Sequence, residues 1–284
     1  MEECKVYLTR CPQGVWRVSE IYQDGPAQTL ELQSAPRCQN VYSVAKTFVM
    51  TAIGLLYDRG LLRPEDRLCD ILQDELPRQN MDPRWHESTV HMALKHQLGL
   101  PAGFLDIDVT PQREFTGDFL SYALTYPLVY EPGTEARYSD GAYYLLARAA
   151  EKAAGEPLDV FLWRELLGPM DFQEAAWTRC PKGHVIGATG LYLHASDMVK
   201  LGRLYLTHGL YEKSRLLSEE WTRMALERQY ALDKAGSLNA FSKGGMYGQR
   251  LWILPEQNRA VAIQSYTMDD RGLYQWVLEY GDRP

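Results

Sequence analysis

Strand-like segments stand at both ends of this chain, and helix-like segments fill almost everything between them. Lys5–Arg10 and Val15–Tyr22 are β-rich and flank the turn Cys11-Pro12-Gln13-Gly14, a hairpin signal. Thr29–Leu32 adds a short extended piece. Far along the chain, Arg250–Leu254 and Ala260–Tyr266 flank Pro255–Asn258, and Arg271–Tyr280 reads as a terminal helix. Chain termini often lie close together, so strands at both ends are best satisfied by one shared sheet. The pattern predicts an α+β fold: an antiparallel sheet built from both chain ends, flanked by helices, with a mostly helical region inserted. The expected division is a discontinuous sheet domain over 1–62 and 232–284, a helical domain over 63–231, and an active site between them.

The inserted region is punctuated by caps and breakers. Ser43–Arg59 carries Val44, Phe48, Ala52, Leu55 and Leu56 at near-helical spacing, with Gly60 as the expected C-cap. Leu68–Leu76 is stopped by Pro77, Thr89–Gln97 follows Ser88 as N-cap and stops at Gly99, and Asp118–Tyr126 ends before Pro127. Asp140–Ala154 is alanine-rich and closed by Gly155. Leu158–Leu167, Asp197–Leu206 behind Ser196, and Glu219–Glu227 behind Ser218 complete the series.

Composition excludes several functions. With 284 residues, 45% hydrophobic and 24% charged, the chain reads as an ordinary globular protein. A net charge of −7 without a basic block argues against nucleic acid as a partner. No apolar run approaches the roughly 18 residues of a membrane span, and Met1-Glu2-Glu3-Cys4-Lys5 lacks the basic start of a secretory signal. A cytoplasmic location is therefore expected, as a monomer or weak oligomer. Five scattered cysteines without C-x-x-C suit reduced thiols. The six histidines form no ligand set, and His91 and His96 read as structural or solvated. No metal or cofactor is expected.

Three short elements carry chemistry. Ser43 and Lys46, in Tyr42-Ser43-Val44-Ala45-Lys46, lie one helical turn apart and so share a face. A serine hydroxyl needs a neighbouring base to act as a nucleophile. A lysine serves only if its pKa is lowered from about 10.4. The same four-residue pattern also arises as an N-cap followed by a solvated lysine, so context decides. The second element is Tyr138-Ser139-Asp140-Gly141, after Glu131-Pro132-Gly133-Thr134; the third is Lys243-Gly244-Gly245, before Tyr247-Gly248-Gln249 and a predicted strand.

In order and spacing these elements resemble the serine β-lactamase and penicillin-binding-protein superfamily. Within it they are most similar to class C β-lactamases, family VIII carboxylesterases and D-alanyl-D-alanine peptidases, whose pattern is S-x-x-K, Y-x-N, then K-T-G or H-x-G on a sheet-edge strand. Gly54–Leu62 looks like the end of that family's nucleophile helix. Leu94-Lys95-His96-Gln97-Leu98-Gly99-Leu100 is similar to its L-x-H-T-S-G-L segment, departing at Gln97-Leu98, and Gly190–Leu193 with Ser196–Leu204 resembles another shared stretch. The resemblance covers roughly residue 40 onward.

It implies that Ser43 attacks an acyl carbonyl to form an acyl-enzyme, with Lys46 as base or proton relay and Tyr138 reaching the same proton from the other side. Among 18 tyrosines only motif position singles out Tyr138. Lys243 is expected to hold positive potential over the site and meet a substrate carboxylate; without its two glycines it would read as a strand-edge lysine. Gly244 and Gly245 permit close backbone approach, and the amides of Ser43 and Met246 are expected to form the oxyanion hole.

Asp140 stands where the family usually has Asn. An ionised Asp only accepts hydrogen bonds, so it binds Lys46, Lys243 or both, makes Lys46 a worse base, and weakens recognition of acylamido groups. It also reads as the N-cap of the helix it opens. The expected activity is hydrolysis of a small ester or amide through an acyl-enzyme. The alternatives are a genuine β-lactamase or D-alanyl-D-alanine carboxypeptidase, and a catalytically idle binding or sensor module on the same scaffold.

Overall fold

The computed structural model describes residues 14–235, 239–267 and 277–278. The expected strand Lys5–Arg10 and most of the expected helix Arg271–Tyr280 lie outside them. In chain order the elements begin with β1 (Val15–Tyr22), β2 (Gln28–Glu31) and β3 (Gln39–Asn40), then α1 (Ala45–Asp58), α2 (Leu68–Ile71), α3 (Val90–Leu94), α4 (Phe119–Thr125), α5 (Asp140–Ala154) and α6 (Leu158–Leu162). They continue with β4 (Ala175–Trp177), β5 (Leu191–Leu193), α7 (Ala195–Leu206), β6 (Leu210–Tyr211), β7 (Ser214–Arg215), α8 (Glu219–Glu227), β8 (Asp233–Lys234), β9 (Phe241–Gly244), β10 (Arg250–Leu254) and β11 (Arg259–Ser265).

The main sheet runs β2-β1-β11-β10-β9-β8 and is antiparallel at every pairing. Strand β1 pairs directly with β11, so early and late segments share the sheet. Its period-2 alternation separates two cores. Leu251, Ile253, Ala260 and Ala262 face the large helical core; Val18, Trp252, Leu254, Val261 and Ile263 form a smaller cluster with Val277. Helix α7 lies across β1, β10 and β11. At Gly202 a Cβ would stand 2.9 Å from that of Ala260, so the missing side chain sets how closely helix and sheet approach.

Two nearly all-buried helices, α1 and α5, pack against each other in the helical layer. On the other side of α1 the Trp221 indole of α8 occupies the space over Gly54, where a Cβ would lie 2.3 Å from the ring. A second, three-stranded sheet, β3-β5-β4, was not anticipated. Its strands are two or three residues long and come from distant segments, too short to show a period.

Several helix starts differ from expectation. Thr89, not Ser88, caps α3 by accepting the Met92 amide. Ser139 caps α5 by accepting the Ala142 amide, so Asp140 is not the cap and is the first helical residue. His194, not Ser196, precedes α7, which begins at Ala195. Leu158–Leu167 is α-helical only to Leu162 and continues as a π turn over Trp163–Leu167. No helix among the described residues is long and apolar enough to cross a membrane.

Candidate active site

The turn before α1 is strained where Ser43 sits. Tyr42 adopts φ +47, a left-handed conformation that a bulky residue rarely takes. It is held there by its own amide donating to Asn40 Oδ1 at 2.8 Å, and by the Val44 amide reaching Val41 O at 3.1 Å. The 3-10 turn Tyr42–Val44 then runs into α1 and presents Ser43 toward β9.

Lys46 follows one turn later and is fully buried. Its Nζ donates to Ser43 Oγ at 3.0 Å, to Asp140 Oδ1 at 2.7 Å and to Ala188 O at 2.9 Å. An ammonium has three donors and no acceptor, and all three are spent. Burial alone pulls this amine down, but the Asp140 carboxylate and the Tyr138 oxygen outweigh it, so the proton is held more tightly than usual. With its three donors spent and its proton held, Lys46 stands beside Ser43 as a charged donor.

Tyr138 approaches from the opposite side. Its hydroxyl lies 2.7 Å from Ser43 Oγ and the residue is 44% exposed. The Lys46 and Lys243 ammonium nitrogens each stand 4.8 Å from the ring centroid. Lys243 comes from β9, is buried, and has the exposed Asp233 carboxylate 3.8 Å away. Strand β8 pairs with β9 only at Phe241 and Ser242, so from Lys243 onward this edge is free of it. At Gly245 a Cβ would lie 2.8 Å from Val41 O and 2.6 Å from Gln249 Oε1. Its bareness thus lets the segment after β9 close against the turn that carries Ser43. At Gly244 the nearest atom to a Cβ would be in the Arg250 guanidinium, at 2.9 Å. Met246 follows, and the neighbouring Tyr247 ring packs edge-on to Tyr42 at 5.2 Å and stacks on Tyr266 at 4.2 Å.

Sequence reasoning missed two features here. The first is His96, which clamps the Tyr138 segment. Its carbonyl accepts the Arg137 amide at 2.8 Å and its Nδ1 accepts the Ser139 amide at 3.3 Å. Its ring lies 4.5 Å from that of Tyr138 and 5.1 Å from that of Tyr143. Burial, then the charges of Lys46 and Lys243, hold the imidazole down to about 2, so it is neutral. Its place in the family-like segment was the available signal. The second is a pair of acids, Asp106 and Asp108, whose carboxylates gather with that of Asp140 within 4.8 Å. Burial raises Asp108 to about 6 against the pull of the Thr189 hydroxyl, which donates to it at 2.5 Å; Asp140 and Asp106 raise it further. The Lys46 ammonium on Asp140 supplies countercharge to this group, so the cluster does not require a cation. A D-x-D in a loop carries no spacing signal of its own.

These elements meet on the scaffold of a known family. The Beta-lactamase family model matches residues 38–277. The chain belongs to that family. Among curated relatives of this β-lactamase-family protein, the D-alanyl-D-alanine-carboxypeptidase/endopeptidase AmpH of Escherichia coli K12 is 26% identical over 262 residues, covering 81% of this chain. The chain spans only 65% of that relative's length. Among solved structures, a penicillin binding protein from Bacillus halodurans superposes with TM-score 0.74 at 17% identity, over 94% of this chain and 96% of the other. An octameric penicillin-binding protein homologue from Pyrococcus abyssi gives 0.73 at 18% identity, over 100% and 77%. The fold is thus that of β-lactamase-family hydrolases and penicillin-binding proteins.

Proposed function

We propose that this protein is a serine acyl hydrolase that cleaves a small ester or amide through an acyl-enzyme on Ser43. The observation that carries the reading is the bracketing of Ser43 Oγ by two proton-bearing groups, Tyr138 OH at 2.7 Å and Lys46 Nζ at 3.0 Å. In acylation, with the phenol's own proton first released to solvent, Ser43 Oγ bonds to the carbonyl carbon and its proton passes to the Tyr138 phenolate oxygen, which acts as general base. Lys46, locked by Asp140, does not take that proton. Instead it and Lys243 supply the positive field that stabilises a phenolate between them. The amides of Ser43 and Met246 receive the oxyanion, worth about 3–4 kcal/mol per donor. Tyr138 returns the proton to the departing alkoxide or amine, then activates the water that releases the acyl group.

Asp140 favours esters and small amides over acylamido substrates. Its Oδ1 is occupied by Lys46, and as a carboxylate it has no donor for a side-chain amide carbonyl. Asp106 and Asp108 add negative charge beside it, which disfavours anionic acyl groups. A second reading, a β-lactamase or D-alanyl-D-alanine carboxypeptidase, is supported by the Lys243 ammonium, which suits a substrate carboxylate, and by the named activity of the Escherichia coli relative. Purified protein assayed on p-nitrophenyl butyrate and nitrocefin separates the two. Ester turnover dominating, and lost in Ser43→Ala, supports the first; rapid nitrocefin turnover without ester cleavage supports the second. Failure of every acylating probe to label Ser43 would leave an idle binding module.

A further inference from the structure

Away from the cleft, the small sheet β3-β5-β4 brings three ligand types into one row. In its ladder Gln39 pairs with Leu193, and Leu193 with Ala175. One step further along the antiparallel strands stand Cys38, His194 and Glu174. Residues paired across adjacent strands project to the same face. Accordingly Cys38 Sγ, a His194 ring nitrogen and a Glu174 carboxylate oxygen all lie within 4.8 Å of one another. His194 Nε2 and Glu174 Oε2 are 3.2 Å apart. No backbone hydrogen bond of α7 engages the His194 side chain, although the residue is the N-cap. The thiol is half-buried and in no disulfide.

The row is braced from behind. Buried Gln264 of β11 donates through Nε2 to Arg37 O at 3.1 Å and to Leu193 O at 2.7 Å, so one amide pins the residues preceding both Cys38 and His194. Beside His194 lies an open cavity of about 390 Å³, lined also by Gln173 and Ser196. Arg17, which also lines it, is committed to Glu31 and to the carbonyls of Ala35 and Pro36.

We propose that Cys38, Glu174 and His194 form a site for one borderline-soft divalent cation of the zinc type, with the fourth position left to water. Thiolate, imidazole and carboxylate together are the donor set such an ion prefers, and the hard cations do not take thiolate. Bonds of about 2.0 Å to nitrogen and oxygen and about 2.3 Å to sulfur span tetrahedral edges of roughly 3.3–3.5 Å. The imidazole and carboxylate already stand at that spacing, and the thiol closes on them by a rotamer change. Binding is not redox: the Cys38 sulfur bonds to the ion as its proton leaves to solvent, and the imidazole keeps its single proton on the nitrogen not bound. The ion ties three strands together and is independent of the hydrolase chemistry.

The test is titration of chelator-stripped full-length protein, without a histidine tag, with Co2+ and then Zn2+. The expected result is one equivalent of Co2+ with a near-ultraviolet thiolate charge-transfer band, displaced by Zn2+ and absent in Cys38→Ser. His194→Ala and Glu174→Gln each weaken binding at least about tenfold, since even outer partners of metal ligands are worth that much. Zn2+ raises the melting temperature of the parent but not of Cys38→Ser. Ser43→Ala binds the metal as the parent does, so loss of hydrolysis and loss of this site are read separately. No thiolate band, a band that survives in Cys38→Ser, or affinity unchanged in both His194→Ala and Glu174→Gln overturns the proposal as an adventitious ion only.

Discussion

Lys46 Nζ stands 2.7 Å from Asp140 Oδ1 with both side chains buried. In the proposed mechanism this pairing makes the lysine of the Ser-x-x-Lys motif a fixed positive charge and not a base. Asp140→Asn tests that directly. The amide retains an acceptor for Lys46 and gains a donor facing the cleft. Breaking a buried ion pair costs roughly 3 kcal/mol at the low end, so chemical denaturation of the variant shows a loss of that order. Nitrocefin acylation relative to ester turnover rises by at least about tenfold.

Tyr138→Phe removes the proposed base and leaves the ring between its two ammonium neighbours. Turnover of p-nitrophenyl butyrate falls by about 10²–10⁴, the usual weight of a general base. The melting temperature stays near the parent value, because this side chain is partly exposed and loses only its hydroxyl.

In the proposed mechanism His96 acts through Tyr138, whose segment it holds. His96→Ala lowers kcat by about 10²-fold, the scale of a misplacement near 1 Å, while KM changes little. His96→Asn restores most of the loss, because Asn keeps an acceptor for the Ser139 amide and tolerates the φ of +56 at this position. Steady-state kinetics of both variants, with melting curves as a control on folding, distinguish positioning from simple destabilisation.

Asp108 links stability to pH. Burial holds its carboxyl up at about 6, so the folded protein keeps this proton over a range where the unfolded chain has released it. The contribution to stability therefore falls as pH climbs from about 4 to about 6, and is constant on either side. Asp108→Asn removes this group's share of the slope. Urea midpoints at pH 4.5 and 7 show the variant gaining on the parent as pH rises; equal differences at the two pH values would rule out this assignment.

What could be read from the sequence follows the range of the interactions. Ser43 and Lys46 are one turn apart, and the strands Val15–Tyr22 and Arg250–Leu254 run five to eight residues, so local spacing sufficed for them. Tyr138 and Lys243 became legible through their motifs. Asp140 was expected against a lysine, and the structure pairs it with Lys46; its alternative as a helix cap was lost to Ser139, one residue earlier, whose hydroxyl makes the same bond. The β3-β5-β4 sheet, the Asp106–Asp108 wall and the two-sided clamp by His96 depend on segments tens of residues apart. Short strands and single loop residues leave no periodic trace, and a histidine in a left-handed turn looks like any other until its neighbours are known.

The central claim is that one hydroxyl carries the chemistry, and intact-protein mass spectrometry after exposure to a fluorophosphonate reads it most directly. One equivalent of adduct, mapped to Ser43, absent in Ser43→Ala and formed at least a hundredfold more slowly in Tyr138→Phe, is the predicted result. An unmodified protein at long exposure, or an adduct that persists in Ser43→Ala, would contradict it.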